Sequence, residues 1–509
     1  MTAPMLEPRG HDYATPALVV QQFPGSLSSL FPAPRGLIDR DWPPTQLGYL
    51  GEYLQKLGCR TVVRETHYID RDWIDDLSLF YSRSLRSYSN ACQRLHFFRT
   101  AFDDAQWAAW MMDAQADVGR VEATLQAGYL GFSVIRPLSA TPLGRTVVSP
   151  FGAAADSGAT RTFGAVRTYT AHLAGFTLQV DGLAFQQQDQ GVSACATTAL
   201  WSALHRVAHD EAMSVPTPAA ITEAASRYFL QEGRTLPADG LSMIQMCEAA
   251  RAFGLAPLVI QGRGPDLDRA YLQAYTDSGF PPILAIAPLS GAGPGHALTC
   301  VGLKRGALPP RTDDAIGFRD EASNLLGVYV HDDRLGPYAI GTLASETTPK
   351  GLRSRLSLAW PDEEAPVNDS VVLMMMIPVP LKLRLTLERL RQLAMAVAQA
   401  TSVAMPRASG RVVFSVRYER GTRYQRRAYG FGLSADGIGT ITTRTLLSRF
   451  VGLVELRIDE TPLFDVLVDA TESHANPATI AVVRRGTLSA DEEIFVEAIA
   501  ARVNAKYAR

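Results

Sequence analysis

Cysteine is scarce and unpatterned in this sequence. Five occur among 509 residues: Cys59, Cys92, Cys195, Cys247 and Cys300. The number is odd and no pair has CxxC spacing, which excludes a disulfide scaffold and a zinc ribbon. Neither charge sign is in excess: the net charge is −2 and the pI is near 6.5. No basic surface for nucleic acid or for an anionic membrane is indicated. Long apolar runs are missing too. The longest, Val371 to Ile377, is closed by Pro378. It is far shorter than the ~20 residues that span a bilayer and reads as a buried strand. The start, Met1 to Tyr13, holds Glu7, Arg9, His11 and Asp12 and no apolar h-region, unlike a secretory signal. A reducing compartment, the cytoplasm, is the expectation, with no membrane or nucleic-acid partner and no metal or other cofactor.

What is present suits a soluble globular chain of two to four domains, with 47% apolar and 20% charged residues. Residues 1–35 are rich in Pro and Gly and read as an irregular lead-in. An N-terminal α/β region follows over 36–170. Helical spacing runs from Pro44 to Gly58, from Trp73 to Phe98 and from Asp103 to Ala127. Strands are expected at Cys59 to Glu65 and Tyr129 to Pro137. A central α+β unit spans 175–345, connecting strands and a linker span 346–384, and an α+β region spans 385–509. In the last of these, a helix from Leu385 to Ala400 precedes strand patterns up to Ala470. A capping box, Ser489 with Glu492, opens a final helix.

Three short segments carry chemistry. Cys195 lies in GVSACATTALWSALH, where Ala196, Ala199, Leu200, Ala203 and Leu204 form one apolar helical face. The helix therefore begins at or just before the cysteine. Unpaired N–H groups at a helix N-terminus favour a thiolate, the nucleophilic form, and point to where an oxyanion develops. His296 follows a Gly-Pro loop, Gly291 to Gly295, and heads the apolar run Ala297 to Val301. It can take the thiol proton and return one to a leaving group. Asp332 ends the strand Val328 to His331 before Gly336 and Pro337 break it. A carboxylate there can fix the imidazole tautomer. Upstream lie Gln186, Gln187, Gln188 and Gln190, whose amides can donate to an oxyanion.

Each residue also has a plain structural role to set against this. A lone cysteine is more often inert core, and a strand-end histidine is more often a satisfied one. Asp332 can be a turn residue, with His331 and Asp333 as competitors for its role. His205 and His209 lack the glutamate of HExxH and read as surface. Gly430–Phe431–Gly432 has no helix after it and is no nucleotide loop. Asp70, Asp72, Asp75 and Asp76 fit no calcium loop and suit a helix start.

The ordered segments QQDQGVSACATTAL, GPGHALTCVGL and GVYVHDDRLGPY resemble those of papain-like cysteine peptidases, in particular the branch of bacteriocin leader peptidases. GLSMIQMCEAARAFGLAPLVI is similar to the family's middle helix and next strand. The resemblance covers about a third of the chain, 175–345. It implies a papain-like core with Cys195 as nucleophile, His296 as base and Asp332 as orienting acid. It also implies cleavage of a peptide or isopeptide bond through a thioester. Ala196 stands where the family usually has Gly. Asp189 stands at the usual oxyanion glutamine position, leaving Gln188 and Gln190 as alternatives. The same triad serves an acyltransferase, a transglutaminase-like enzyme or a deamidase, and a non-catalytic interaction module is the third possibility. The expected partner is a protein or peptide substrate, with a dedicated or activating protein encoded beside it.

Overall fold

The computed structural model describes residues 17–30, 44–85, 87–154, 158–189, 191–192, 194–227, 240–262, 264–291, 294–308, 317–349, 351–359, 368–405, 411–472, 479–485, 494–498 and 501. Helices and strands are mixed throughout. The first sheet contains β1 (Leu18–Gln22), β2 (Thr61–Tyr68), β3 (Cys92–Phe98), β4 (Tyr129–Ile135) and β5 (Leu143–Val148), in chain order. Its connections carry α1 (Thr45–Lys56), α2 (Arg71–Leu79), α3 (Asp104–Ala114) and α4 (Val118–Gly128). Asp70, Asp103 and Asp117 cap α2, α3 and α4, each accepting first-turn N–H groups. The acidic stretch at Asp70 thus begins a helix, as its spacing suggests.

Three expectations for this region are corrected. Every strand pair is antiparallel, so the region is not α/β. Helix–strand alternation does not set strand direction; only a crossover that carries the chain back to the same end does. The helix expected from Trp73 to Phe98 stops at Leu79, and Cys92–Phe98 is a strand. Leu95, Phe97 and Phe98 are fully buried. A strand covered on both faces shows a continuous apolar run, which periodicity does not separate from a helix. The helix expected over 103–127 is two, α3 and α4, parted before the Asp117 cap.

The central unit contains β6 (Thr160–Thr162), a ribbon of β7 (Arg167–Leu173) and β8 (Phe176–Gly182), α5 (Cys195–Asp210), α6 (Pro218–Ser226) and α7 (Met243–Ala252). It continues with β9 (Leu255–Gln261), α8 (Pro265–Asp277), β10 (Ile283–Pro288) and β11 (His296–Arg305). β12 (Phe318–Asp320) leaves for another sheet. β13 (Leu325–Asp332), β14 (Gly336–Thr348), β15 (Gly351–Ala359) and β16 (Asn368–Pro380) return. The order is β10-β11-β13-β14-β15-β16, and β10 also pairs with β16, so the antiparallel sheet closes on itself. Closure leaves no edge along the ring. The segment after residue 345 is therefore built into the ring through β15 and β16. α5 packs on β10, β11, β13 and β16, and its side chains from Ala196 to Ala208 are buried.

The C-terminal sheet has the order β12-β17-β18-β19-β20. It is formed by β17 (Val412–Arg420), β18 (Phe450–Ile458), β19 (Thr461–Asp469) and β20 (Thr479–Arg484), with β12 parallel to β17. α9 (Leu387–Ala404) covers it, and α10 (Gly421–Ala428) interrupts the stretch read as strands. The Ser489–Glu492 box lies outside the described residues. No helix among the described residues is long and apolar enough to cross a membrane.

Candidate active site

Cys195 is the first residue of α5. The N-cap is Ala194, whose methyl group offers no capping acceptor. The first-turn N–H groups of a helix have no partner inside the helix. Here no cap side chain takes one of them, so they can bind a developing oxyanion. Cys195 is half-buried, whereas Cys59, Cys92, Cys247 and Cys300 are buried. Burial pushes the thiols of Cys59, Cys92 and Cys300 up to about 12.

His296 opens β11 opposite Ile286 of β10, with 6% of its surface exposed. Its Nε2 donates to Asp332 Oδ1 at 2.8 Å, and its ring also hydrogen-bonds the Cys195 thiol. With Nε2 committed to the carboxylate, Nδ1 is the nitrogen left for sulfur. Asp332 Oδ1 also accepts from the Arg334 backbone N–H at 2.9 Å, so the turn after β13 orients the carboxylate. The structure thus brings Cys195, His296 and Asp332 together. The helix and the strand are joined behind them: Thr299 Oγ1 of β11 donates to Ala199 O of α5 at 2.8 Å. Burial disfavours the imidazolium, but the bonds to Asp332 and Cys195 and the Asp332 and Asp333 charges outweigh it, raising His296 to about 10. Asp332 is held below its ordinary value. Burial opposes this, and the His296 bond and charge prevail.

His331 and Asp333 flank Asp332 but do other things. Ser202 Oγ donates to Ala184 O at 2.7 Å and lies 3.3 Å from His331 Nδ1. Burial lowers His331 to about 3, so it stays neutral and is not the base. Asp333 Oδ1 lies 3.4 Å from His296 Nε2. Burial raises Asp333 to about 7, His296 lowering it and Asp332 raising it further. A cavity of about 10 Å³ lined by Gln186, Thr198, Ser202, His331 and Asp333 lies beside it, room for one water. The linkage has a definite sign. A carboxyl raised from 3.8 binds its proton more tightly folded than unfolded, so stability falls as pH rises from about 4 through about 7. Asp333→Asn removes that loss. The variant is expected to gain more melting temperature at pH 8 than at pH 4, and equal gains at both would contradict the assignment.

The oxyanion glutamines are not brought to one answer. Gln188 is half-buried, and Gln190 lies outside the described residues. Gln187 is turned away, its Oε1 accepting from Leu143 N. Asp189 is a structural residue: Oδ1 accepts from Gly191 N at 2.8 Å and Val192 N at 2.7 Å. Its Oδ2 accepts from Arg136 Nη1 at 3.0 Å, both side chains nearly fully buried. Arg136 Nη2 donates further to Gln187 O and Thr141 O. A side chain placed just after β4 thus shapes the turn that delivers Cys195. Sequence reasoning misses this pair, because Arg136 is remote in the chain and Asp189 stands out there only as the residue at the usual glutamine position. Arg136→Ala leaves a buried carboxylate uncompensated and is expected to cost about 3–5 kcal/mol. Denaturant unfolding checks this, and a loss below about 1 kcal/mol would deny the clamp its role.

His296, Asp332 and Asp333 are also the group whose ligand atoms converge, within 4.8 Å of one another. Two atoms bound to one tetrahedral zinc lie about 3.3 Å apart. The 2.8 Å between His296 and Asp332 is hydrogen-bond spacing instead, and the bond occupies the lone pair a metal would need. The donor set therefore fits a hydrogen-bonded pair better than an ion. No protein-family model matches the chain, and no curated protein matches it.

Proposed function

We propose that the protein is a cysteine peptidase of the papain-like kind, cleaving a peptide or isopeptide bond with Cys195, His296 and Asp332. The observation that supports this most is the His296 ring, held between Asp332 at 2.8 Å and the thiol that heads α5. Cys195 passes its proton to His296 Nδ1, and the sulfur adds to the substrate carbonyl carbon. The oxyanion is met by the first-turn N–H groups of α5, with Gln188 or Gln190 as second donor. The C–N bond then breaks as His296 returns the proton to the leaving amine, leaving a thioester on Cys195. His296 next takes a proton from water, the resulting hydroxide adds to the thioester carbon, and the thiol leaves with its proton restored.

Free cysteines throughout the described residues suit a reducing compartment, and we assign the protein to the cytoplasm. The partner is a protein or peptide, whose recognition falls to the flanking domains. The test is capture of the acyl-enzyme. A peptide thioester or an activated peptidyl ester should add one acyl group, mapped to Cys195 and released by water. Release only to an added amine would make the enzyme an acyltransferase. Failure to acylate, with the protein folded, would leave an interaction module.

A further inference from the structure

The turn that delivers Cys195 is held from outside the central unit. Residues 189–192 precede the Ala194 cap of α5, and Gln188 and Gln190, the two candidates for the second oxyanion donor, flank Asp189 in the chain. Whatever fixes this turn therefore fixes the donors relative to the sulfur. Arg136, just after β4, holds the Asp189 carboxylate from one side. A second contact comes from the short helical turn Tyr81–Arg83 that follows α2. The Tyr81 hydroxyl donates to the Asp189 side chain, and the Tyr81 ring is seated on Gly191. A Cβ at Gly191 would lie 2.8 Å from both Cζ and the hydroxyl oxygen of Tyr81. The Gly191 backbone is not left-handed, so the ring, and not the main chain, is what demands glycine there.

Tyr81 is itself anchored. Its ring centroid lies 5.2 Å from that of Trp73 and 5.1 Å from that of Tyr88. Trp73 is buried, and its indole N–H donates to Ser89 O at 2.9 Å. Helix α2, which carries Trp73, is tied to the same turn by a second route. Asp76 Oδ1 accepts from Ala219 N of α6 at 3.1 Å, and Thr222 Oγ1 of α6 donates to Val192 O at 2.9 Å. The turn thus meets the N-terminal region at Gly191 through Tyr81 and at Val192 through α6. Close-packed groups transmit a displacement instead of absorbing it.

We infer, on the peptidase reading of Cys195 given above, that Tyr81 is a positioning residue for acylation, seating the turn 189–192 so that the oxyanion donors face the reacting carbonyl. The N-terminal region then serves the chemical step as well as recognition. Attack of the thiolate on an ester develops an oxyanion, whereas alkylation by iodoacetamide displaces iodide from a saturated carbon and develops none. A misplaced donor therefore slows the first reaction and spares the second.

The experiment uses the full chain, with an activated peptidyl ester and iodoacetamide as probes of the same thiol. Tyr81→Ala should lower kcat for acylation about a hundredfold, with KM changed less than about twofold, and Cys195 should alkylate at the wild-type rate. Tyr81→Phe keeps the ring on Gly191 and should lose less. The four buried cysteines stay unreactive in a folded variant, so a misfolded one is recognised in the same peptide map. Gly191→Ala pushes on the ring from the other side and should slow acylation about tenfold. Once Tyr81→Ala has removed the ring, adding Gly191→Ala should cost nothing more. Acylation of Tyr81→Ala at the wild-type rate overturns the proposal. So does an equal loss of acylation and alkylation, which would make the ring a plain structural support, and so do additive effects in the double variant. Where Tyr81→Ala does not fold, Gly191→Ala carries the test, and its acylation at the wild-type rate overturns the proposal. A wild-type protein that alkylates at Cys195 but takes no acyl group overturns the peptidase reading instead, and the role of Tyr81 falls with it.

Discussion

Cys195→Ala is expected to abolish acylation and hydrolysis while leaving the fold intact. The sulfur has no substitute among its neighbours. Thr197 and Thr198 lie within α5 and are buried, and Thr198 Oγ1 donates to Cys195 O at 2.9 Å. Loss of a nucleophile that works with its base as a unit costs about 10⁴–10⁶ in rate. The structural cost is small. Alanine is the best helix former, and the half-buried thiol takes no side-chain cap role. The unfolding free energy should therefore change by no more than an ordinary surface substitution does, about 0.5 kcal/mol. Hydrolysis at the wild-type rate by a purified Cys195→Ala protein would remove the cysteine from the mechanism.

The second large effect belongs to Asp332. Asp332→Ala strips a buried imidazole of its 2.8 Å partner. Without the carboxylate the ring can take the wrong tautomer and turn from the sulfur. A loss of about three orders of magnitude in turnover is expected. Stability falls as well, with a defined pH dependence. His296 is raised from 6.5 to about 10 in the folded protein. The native state therefore gains from His296 protonation fully below pH 6.5, and that gain disappears as pH rises through about 10. The melting deficit of Asp332→Ala should be larger at pH 6 than at pH 10. Asp332→Asn separates orientation from charge. Its amide oxygen still accepts from Nε2, so turnover should fall less than in the alanine variant. The missing charge should move the alkaline limit of activity down from about 10. An unchanged alkaline limit in Asp332→Asn would mean that Asp332 does not set the His296 charge state.

The parts of the site readable from sequence are those written locally. An apolar helical face starting at Cys195, a Gly-Pro loop before His296 and a strand ending at Asp332 each show in a few adjacent residues, and the fold brings these three together. Arg136 and Asp189 were not readable as a pair, because only the packing of the first sheet on the central unit makes them meet. Asp333 was readable only as a competitor of Asp332. Its place 3.4 Å from His296 depends on the tight turn that follows β13. In the fold, amphipathic helices such as α7 and α9 were legible. The buried strand β3 was hidden by its own continuous hydrophobicity. Helix α8 was not anticipated, although Pro265 at its first turn and Asp266 and Asp268 are start signals. Ring closure between β10 and β16 joins segments nearly ninety residues apart, and no local pattern marks it.

The central claim is that His296 activates Cys195. The most direct test is the pH–rate profile of alkylation by iodoacetamide, read by peptide mapping, in wild type and His296→Ala. The four buried cysteines serve as internal references. In the wild type, Cys195 should alkylate fastest, with a change in reactivity near pH 10 as the imidazolium loses its proton. In His296→Ala the near-neutral rate should drop about tenfold, and the profile should become that of an isolated thiol. Identical profiles in the two proteins, with Cys195 no more reactive than an ordinary cysteine, would contradict the account.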